Sequence, residues 1–270
     1  MKIPSMDKQL ITLFTVLLLL FFLPWGRINP VAQEQNEFTD QFPIRDCNFR
    51  SHGSNAFFDI TPGRTWKYSN LECFNSGECA SLEEMDVSVL DQTLDIPLQI
   101  EGLAMPINAR VVVTEKSVDG QMVETRSDYY AECRETQDVY HFGASVQTIL
   151  ADGSTSTEGS WLAARDDALP GLAFPGGAFL LGSRYRREQA PGVVLSSAHH
   201  DAMGLEVTVP FGTFTGCVEV RETDGLDPGR RSTRTYCPGI GLVKQDDTQL
   251  LLTTGIIPAG DAARTVPNRH

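Results

Sequence analysis

Residues 213–237 read TFTGCVEVRETDGLDPGRRSTRTYC, and this stretch predicts a β-hairpin closed by a disulfide. Two strand-like segments flank a turn that is rich in Asp, Gly and Pro. Cys217 and Cys237 fall at matching positions on the two strands. The same register sets Val218 opposite Tyr236. Directly opposed residues have Cβ atoms about 4.5 to 5.5 Å apart, which is close to the separation that a disulfide needs. The hairpin therefore predicts a Cys217–Cys237 bridge.

The other four cysteines predict two further disulfides. Cys73 and Cys79 enclose an Asn-Ser-Gly sequence that can turn, so they form the next pair. Cys47 and Cys133 then remain for each other by elimination. An even number of cysteines without a C-x2-C pair is typical of disulfides formed in an oxidising compartment, and it does not predict a zinc site.

The pattern of the hairpin repeats along most of the chain. Alternating apolar residues at Ile96, Leu98 and Ile100 have the period of a strand, and Asp119-Gly120 is a hairpin turn signal. No sustained helical period follows the N-terminal region. We therefore predict a single all-β domain over residues 57–257. It is expected to be an antiparallel meander that forms a closed or partly open barrel, with a β-sandwich as the alternative. Segment 163–182, rich in Gly, Pro and Ala, is predicted to be a long loop.

The N-terminal region predicts export. An apolar block that begins at Leu10 and ends at Leu23 follows Lys2 and Lys8, as in a secretory signal peptide. An uncleaved membrane anchor over residues 1–32 is the alternative, although the block is shorter than most spans. Residues 33–56 are expected to be a polar leader, and residues 258–270 a disordered tail. The predicted location is the periplasm, the extracellular space or the outer face of the cytoplasmic membrane.

The charge of the chain excludes one class of partner. The formal net charge is −13, and removal of residues 1–32 takes away three basic residues and one acidic residue, which makes it −15. A field of this sign repels phosphate backbones, so nucleic-acid binding is not expected. Solubility is the commonest reason for such a surface.

Several short motifs resemble a group of exported bacterial proteins of unknown function. The motifs are DYYA at 128–131, VYHFG at 139–143, GSW at 159–161, PG at 170–171 and YCPGIGLV at 236–243. The likeness spans most of residues 57–245. The resemblance implies export and a β-rich fold, and it implies no activity and no catalytic residue. Cys237 stands where that group has a small residue, which is consistent with a disulfide set particular to this lineage.

Six aromatic residues in predicted strands are candidates for lining a ligand cavity: Trp66, Tyr68, Tyr130, Tyr140, Phe142 and Trp161. Packing in the core is the commoner role of such side chains. The densest set of potential metal ligands is His199-His200-Asp201. Adjacent histidines on a strand point to opposite faces, so these would cooperate only in a loop.

The sequence contains no G-x-S-x-G motif, which would indicate a serine hydrolase. Carboxylates for glycosidic chemistry would have to come from five acidic residues: Asp128, Glu132, Asp166, Asp167 and Glu188. The leading hypothesis is a non-enzymatic, disulfide-stabilised domain without a cofactor that binds an amphiphilic ligand or a cell-envelope partner. One alternative is a hydrolase of cell-envelope or extracellular polymers that uses carboxylates around segment 163–182. Another is a structural or interaction protein of the envelope.

Overall fold

Fifteen β-strands make up most of residues 38–53, 55–100 and 102–254, which the computed structural model describes. The predicted signal or anchor over residues 1–32 and the predicted tail over residues 258–270 lie outside the described residues. One short helix, α1 (Leu71–Ser76), follows the second strand. The strands are β1 (Phe49–Arg50), β2 (Thr65–Ser69), β3 (Glu83–Ile100), β4 (Leu103–Val118), β5 (Gln121–Cys133), β6 (Val139–Ile149), β7 (Thr155–Ser156), β8 (Trp161–Leu162), β9 (Gly171–Phe174), β10 (Arg184–Arg186), β11 (Ser196–Val209), β12 (Gly212–Asp224), β13 (Arg231–Cys237), β14 (Gly241–Gln245) and β15 (Thr248–Thr254).

All of these strands belong to one antiparallel sheet. Its order is β10-β11-β12-β13-β14-β15-β2-β3-β4-β5-β6-β7, and β1, β8 and β9 attach beside this path. Most neighbours are also consecutive in the chain, as in a meander. The exception is β15, which pairs with β2 and so joins the two ends of the domain. The all-β prediction is confirmed. Within the described residues, the pairing path runs from β10 to β7 and does not return to β10, so the predicted closed barrel is wrong. Strand pairing does not favour an open barrel over a β-sandwich.

The hairpin of residues 213–237 has the predicted register. Val218 pairs with Tyr236 across β12 and β13, and the Cys217–Cys237 disulfide joins the same two strands. At the other predicted hairpin, Asp119 and Gly120 both have positive φ and connect β4 to β5. This is the turn geometry that matches the twist of two antiparallel strands.

The two remaining disulfides pair the cysteines as predicted. Cys73 is bonded to Cys79 at the end of α1, and Cys47 is bonded to Cys133 at the end of β5. The second bridge holds the predicted leader against the domain. Strand β1, which lies within that leader, pairs with β5, and Ile44 is buried. Residues 38–53 are therefore part of the packed structure.

Segment 163–182 contains a strand, where the sequence predicted a long loop. Strand β9 pairs with β6 and is buried at all four positions. Its first residue, Gly171, lies against the backbone of Arg187, where a Cβ atom would overlap the Arg187 carbonyl group. The glycine that suggested a loop is thus required by a close approach of two backbone segments.

The buried residues form two hydrophobic clusters. The Tyr140 cluster has Ile96, Leu98, Tyr140, Phe142 and Phe174 among its members. The Trp66 cluster has Ile60, Trp66, Val89, Val112 and Leu250 among its members. The long β3–β4 hairpin contributes to both clusters.

A bulge between Val89 and Thr93 separates the two halves of this hairpin. The Arg110 side chain donates to the carbonyl oxygens of Leu90 at 3.1 Å and Ser51 at 2.6 Å, which holds the bulge in place. Among the helices of the described residues, none is long and apolar enough to cross a membrane.

A disulfide is expected to stabilise the domain more when the loop that it closes is longer. The Cys47–Cys133 bridge spans 86 residues and the Cys73–Cys79 bridge spans 6. Loop-closure entropy predicts a loss of about 4 to 5 kcal/mol for the C47A/C133A double variant and of about 2 kcal/mol for C73A/C79A. Urea unfolding of both variants and the native chain measures these losses. Equal losses would contradict the account.

Candidate functional site

A cavity of about 570 Å³ lies between the inward-facing side chains of strands that are far apart in the sheet. One wall is apolar and aromatic, and it is formed by members of the Trp66 cluster, among them Trp66, Tyr68, Val89, Val112 and Tyr130. Charged side chains from β5, β12 and β13 adjoin these apolar ones, since Val112 on β4 pairs with Asp128 on β5. A cavity with both kinds of lining has the properties of a site for a small molecule with an apolar and a polar part.

The cavity opens at one end of the sheet. Along β3 the lining residues that face inwards change from Glu83 and Met85, which are half-buried, to Val89, which is buried. Along β4 the change runs in the opposite direction, from Val112, which is buried, to Lys116, which is half-buried. Since the two strands are antiparallel, both gradients place the opening where β3 begins and β4 ends.

Residues 57–59 precede β2 in the chain, and they line the end of the cavity opposite to the opening. The ring of Phe58 contacts the ring of Tyr130 edge-on, with centroids 5.0 Å apart. Trp66 and Tyr68 are fixed by hydrogen bonds from Trp66 Nε1 to the Ile240 carbonyl and from Tyr68 Oη to the Leu242 carbonyl. Their polar atoms are thereby satisfied, and their rings form the apolar wall.

A row of alternating charges crosses the cavity wall, and we call it the charged belt. It begins with Arg234 on β13 and Glu222 on β12. It continues with Arg187 and Glu188 in the connection between β10 and β11, and it ends with Arg126 and Asp128 on β5 and His141 on β6. The belt thus links strands near one end of the pairing path to strands near the other.

Arg126 is the central cation of the belt. Its Nε donates to Asp128 Oδ1 at 2.8 Å, and its Nη2 donates to Glu188 Oε1 at 2.5 Å. The other oxygen of Glu188 accepts from Ser196 Oγ at 2.8 Å. Burial opposes ionisation of Asp128, but Arg126 and the His141 ring outweigh it and hold the pKa of this carboxyl at about 2. Burial also opposes ionisation of Glu188, and Arg126 again prevails, so the Glu188 pKa is lowered.

The other half of the belt is a second carboxylate between two guanidinium groups. Glu222 forms ion pairs with Arg187 through one oxygen and with Arg234, at 3.2 Å, through the other. Arg187 is 8 % exposed, and it also donates to the Ala173 carbonyl at 3.3 Å. Buried charges are stable only when they are paired and hydrogen-bonded, and each carboxylate of the belt meets this condition.

His141 lies at the end of the belt with its ring between aromatic side chains. It stacks on Tyr130 with centroids 4.6 Å apart, and Trp161 meets it edge-on. His141 Nε2 is 3.0 Å from Asp128 Oδ1, but not in the orientation of a hydrogen bond. Ligand atoms of Asp128, His141 and Glu188 lie within 4.8 Å of one another, which would suit a cation. Arg126 already donates hydrogen bonds to both carboxylates and offsets one of their two charges, so a metal ion would have to displace it.

The six predicted ligand-binding aromatics separate into two groups. Trp66, Tyr68 and Tyr130 line the cavity. Tyr140, Phe142 and Trp161 are members of the Tyr140 cluster, and they do not line the cavity. In β6 the alternation of the strand explains the division, because His141 faces the cavity while its two neighbours face the other side.

The structure does not bring His199, His200 and Asp201 together as a metal site. All three lie on β11, where neighbouring side chains point to opposite faces. His199 pairs with Asp201, and Arg221 binds both of them. His200 is buried, with its ring 3.8 Å from that of Phe179 and its Nε2 3.2 Å from Tyr185 Oη.

Two of the five carboxylates proposed for glycosidic chemistry meet in the cavity wall. These are Asp128 and Glu188, which Arg126 bridges. Asp166 and Asp167 lie in an exposed turn, and Glu132 is buried against Arg50. A general acid must hold a proton near neutral pH, and the lowered pKa values of Asp128 and Glu188 do not favour that role.

Sequence reasoning missed the basic half of the site. Arg126, Arg187 and Arg234 were not among the candidates, and neither was Glu222. One signal was available, because Arg126, Asp128 and Tyr130 alternate along β5 and therefore share a face. The partners from β12, β13 and the connection after β10 carry no comparable local signal.

No protein-family model, no curated protein and no solved structure matches this chain.

Replacement of Asp128 by Asn is expected to remove part of the acid sensitivity of the fold. The Asp128 pKa is about 2 in the folded protein against an ordinary 3.8, so its stabilising effect is complete above pH 4 and is lost as the pH falls towards 2. This amounts to about 2 kcal/mol. Urea unfolding at pH 5 and pH 2 should show that D128N loses about 2 kcal/mol less than the native chain.

The control is D167N, at an exposed turn position outside the cavity lining. It should follow the native chain at both pH values. A D128N variant with the same acid sensitivity as the native chain would contradict the assignment of Asp128 as a stabilising partner of Arg126.

Proposed function

We propose that this protein is an exported, disulfide-stabilised β-domain that binds one amphiphilic molecule in its cavity. The observation that carries the proposal is the composition of the cavity. Apolar side chains around Trp66 and Val112 and paired charges centred on Arg126 line the same space. An apolar chain gains free energy against these apolar side chains, at about 25 cal/mol for each Å² removed from water, and a polar group at the opening keeps its hydrogen bonds to water.

The size and opening of the cavity support the same proposal. Small-molecule sites commonly enclose about 300 to 1,000 Å³, and this cavity of about 570 Å³ lies within that range. Its lining becomes more exposed and more charged towards the opening, as the change from Val89 to Glu83 on β3 illustrates. An amphiphile would enter with its chain towards Val89 and leave its polar group at the opening.

Three disulfides among six cysteines support a site of action in an oxidising compartment. The apolar block between Leu10 and Leu23 and the resemblance to exported bacterial proteins point to the same location. The hydrolase alternative receives less support, because its best carboxylate pair is bridged by Arg126 and has lowered pKa values.

A V112F variant tests the cavity. Val112 points into it from β4, and Val113 points to the other face of the same strand. Phenylalanine at position 112 would occupy volume needed by a ligand chain. Isothermal titration with uncharged dodecyl maltoside, below its micelle concentration, should show an affinity at least about tenfold weaker for V112F, equivalent to about 1.4 kcal/mol.

V113F is the matched control, since it adds the same ring to the same strand outside the cavity. Both variants keep the N-terminal apolar block, so detergent bound to that block contributes equally to both. Thermal unfolding of each variant verifies that the fold is intact. Binding that is absent from the native chain, or equal in V112F and V113F, would overturn the proposed function.

A further inference from the structure

Exposed apolar side chains surround the opening of the cavity. Because the strands are antiparallel, alternate connections end there, namely β2–β3, β4–β5, β6–β7, β10–β11, β12–β13 and β14–β15. Five large apolar side chains on these connections are 39 to 50 % exposed, and we call them the apolar rim: Leu71, Phe74, Leu150, Val193 and Leu226. Single exposed apolar residues are common on proteins, but a set that surrounds one opening indicates an interaction surface.

Hydrogen bonds between connections hold the apolar rim in place. The Gly225 N–H donates to the Leu195 carbonyl at 2.7 Å, so the β12–β13 turn lies against the β10–β11 connection. Gln249 Nε2 donates to Glu72 Oε2 at 2.8 Å, which fixes α1 beside the β14–β15 hairpin. Residues that line the cavity occur in the same connections, among them Val194 in β10–β11. The rim and the opening therefore belong to one end of the domain.

The form of the apolar rim suits a lipid surface. Its side chains stand on separate turns with polar residues between them, for example Asp227 beside Leu226. A folded protein partner would need a separate pocket for each of these side chains. The boundary between the headgroups and the acyl chains of a bilayer accepts them one at a time, and apolar side chains lie about 5 to 10 Å into it. A bilayer also holds the amphiphilic molecules that the proposed function requires.

The charge of the six connections favours one kind of bilayer. Outside the charged belt they contain one basic residue, Arg230, and seven acidic residues: Glu72, Glu78, Asp119, Asp152, Asp227, Asp246 and Asp247. The net charge of the whole chain, −13, has the same sign. Anionic lipids repel such a surface, whereas zwitterionic phospholipids present their ammonium groups outermost, where acidic side chains meet them.

The N-terminal sequence is compatible with a rim that faces a bilayer. Phe38, the first described residue, has its ring 5.0 Å from the Arg186 guanidinium group on β10, and the next residue, Arg187, lines the cavity. Residues 24–37, fourteen in all, separate Phe38 from the apolar block that ends at Leu23. This number of residues spans at most about 46 to 50 Å when fully extended. A block held in a bilayer therefore permits the rim to reach the same bilayer.

We propose that the apolar rim docks on a bilayer of zwitterionic phospholipids and places the opening of the cavity among the headgroups. The rim side chains enter the boundary of the acyl chains, and the acidic side chains lie at the level of the ammonium groups. An amphiphile then passes between bilayer and cavity without crossing bulk water. This last step rests on the proposed function, whereas docking itself needs no occupied cavity.

The test places one added tryptophan on the rim and another at the opposite end of the domain. L226W and L181W both replace an exposed leucine on a turn, and Leu181 lies in the β9–β10 connection, away from the opening. Each full-length chain is mixed with vesicles of phosphatidylcholine whose acyl chains are brominated, because bromine quenches tryptophan fluorescence on contact. The native chain supplies the background of its own tryptophans. A side chain about 5 to 10 Å into the boundary should lose fluorescence at least about twofold in L226W, and L181W should not change.

Two other leucines of the rim assign the docking to residues. In the L226W chain, L71S/L150S removes two side chains from the acyl boundary. The docking constant, taken from quenching at increasing lipid concentration, should fall at least about tenfold, equivalent to about 1.4 kcal/mol. L180S in the same L226W chain is the control, because Leu180 is exposed in the β9–β10 connection, and it should leave the constant unchanged. Thermal unfolding verifies that each variant is folded.

The outcomes separate docking from ligand binding. L226W quenching that is absent, equal to that of L181W or unchanged by L71S/L150S overturns the docking inference. The proposed function then still stands if V112F weakens dodecyl maltoside binding. Tighter docking on vesicles that contain anionic phosphatidylglycerol overturns the assignment to zwitterionic lipids. Docking as expected, with dodecyl maltoside binding that V112F does not weaken, overturns only the proposed function.

Discussion

The interaction on which the site depends is the bridge that Arg126 makes between Asp128 and Glu188. Arg126 and Asp128 lie on β5, and Glu188 lies in the connection between β10 and β11. These elements are far apart along the pairing path of the sheet, and no backbone ladder joins β5 to β10. The side chains therefore make a connection that main-chain hydrogen bonds do not. Because the groups are largely buried, removal of the cation would leave two carboxylates uncompensated, which is much more costly than the loss of a surface pair.

The rest of the cavity wall is organised around this bridge. Ser196 holds the second oxygen of Glu188. Arg187, the residue before Glu188, forms an ion pair with Glu222 of β12. The close contact between Gly171 and the Arg187 backbone then brings β9 against this connection. Paired charges and apolar side chains line the same cavity.

Local features of the fold could be predicted from the sequence, and long-range contacts could not. Both strands, the turn and both cysteines of the Cys217–Cys237 hairpin lie within 25 residues. The predicted register and the predicted disulfide both agree with the structure. Strand β9 was missed because Gly171 is explained only by its approach to Arg187. For the candidate site, Trp66 and Tyr130 were identified from aromatic strands. Arg126 was not, since an arginine on a strand is usually solvated and its partner Glu188 lies 62 residues away.

The central claim is that the space between Trp66 and Val112 receives the apolar part of a ligand while the belt remains paired. The most direct measurement is a crystal structure of the protein grown with dodecylphosphocholine. The account predicts electron density for a chain beside Val112, with Arg126 still bound to Asp128 and Glu188. A cavity filled by collapsed side chains, or amphiphile density elsewhere on the protein with this space empty, would contradict it.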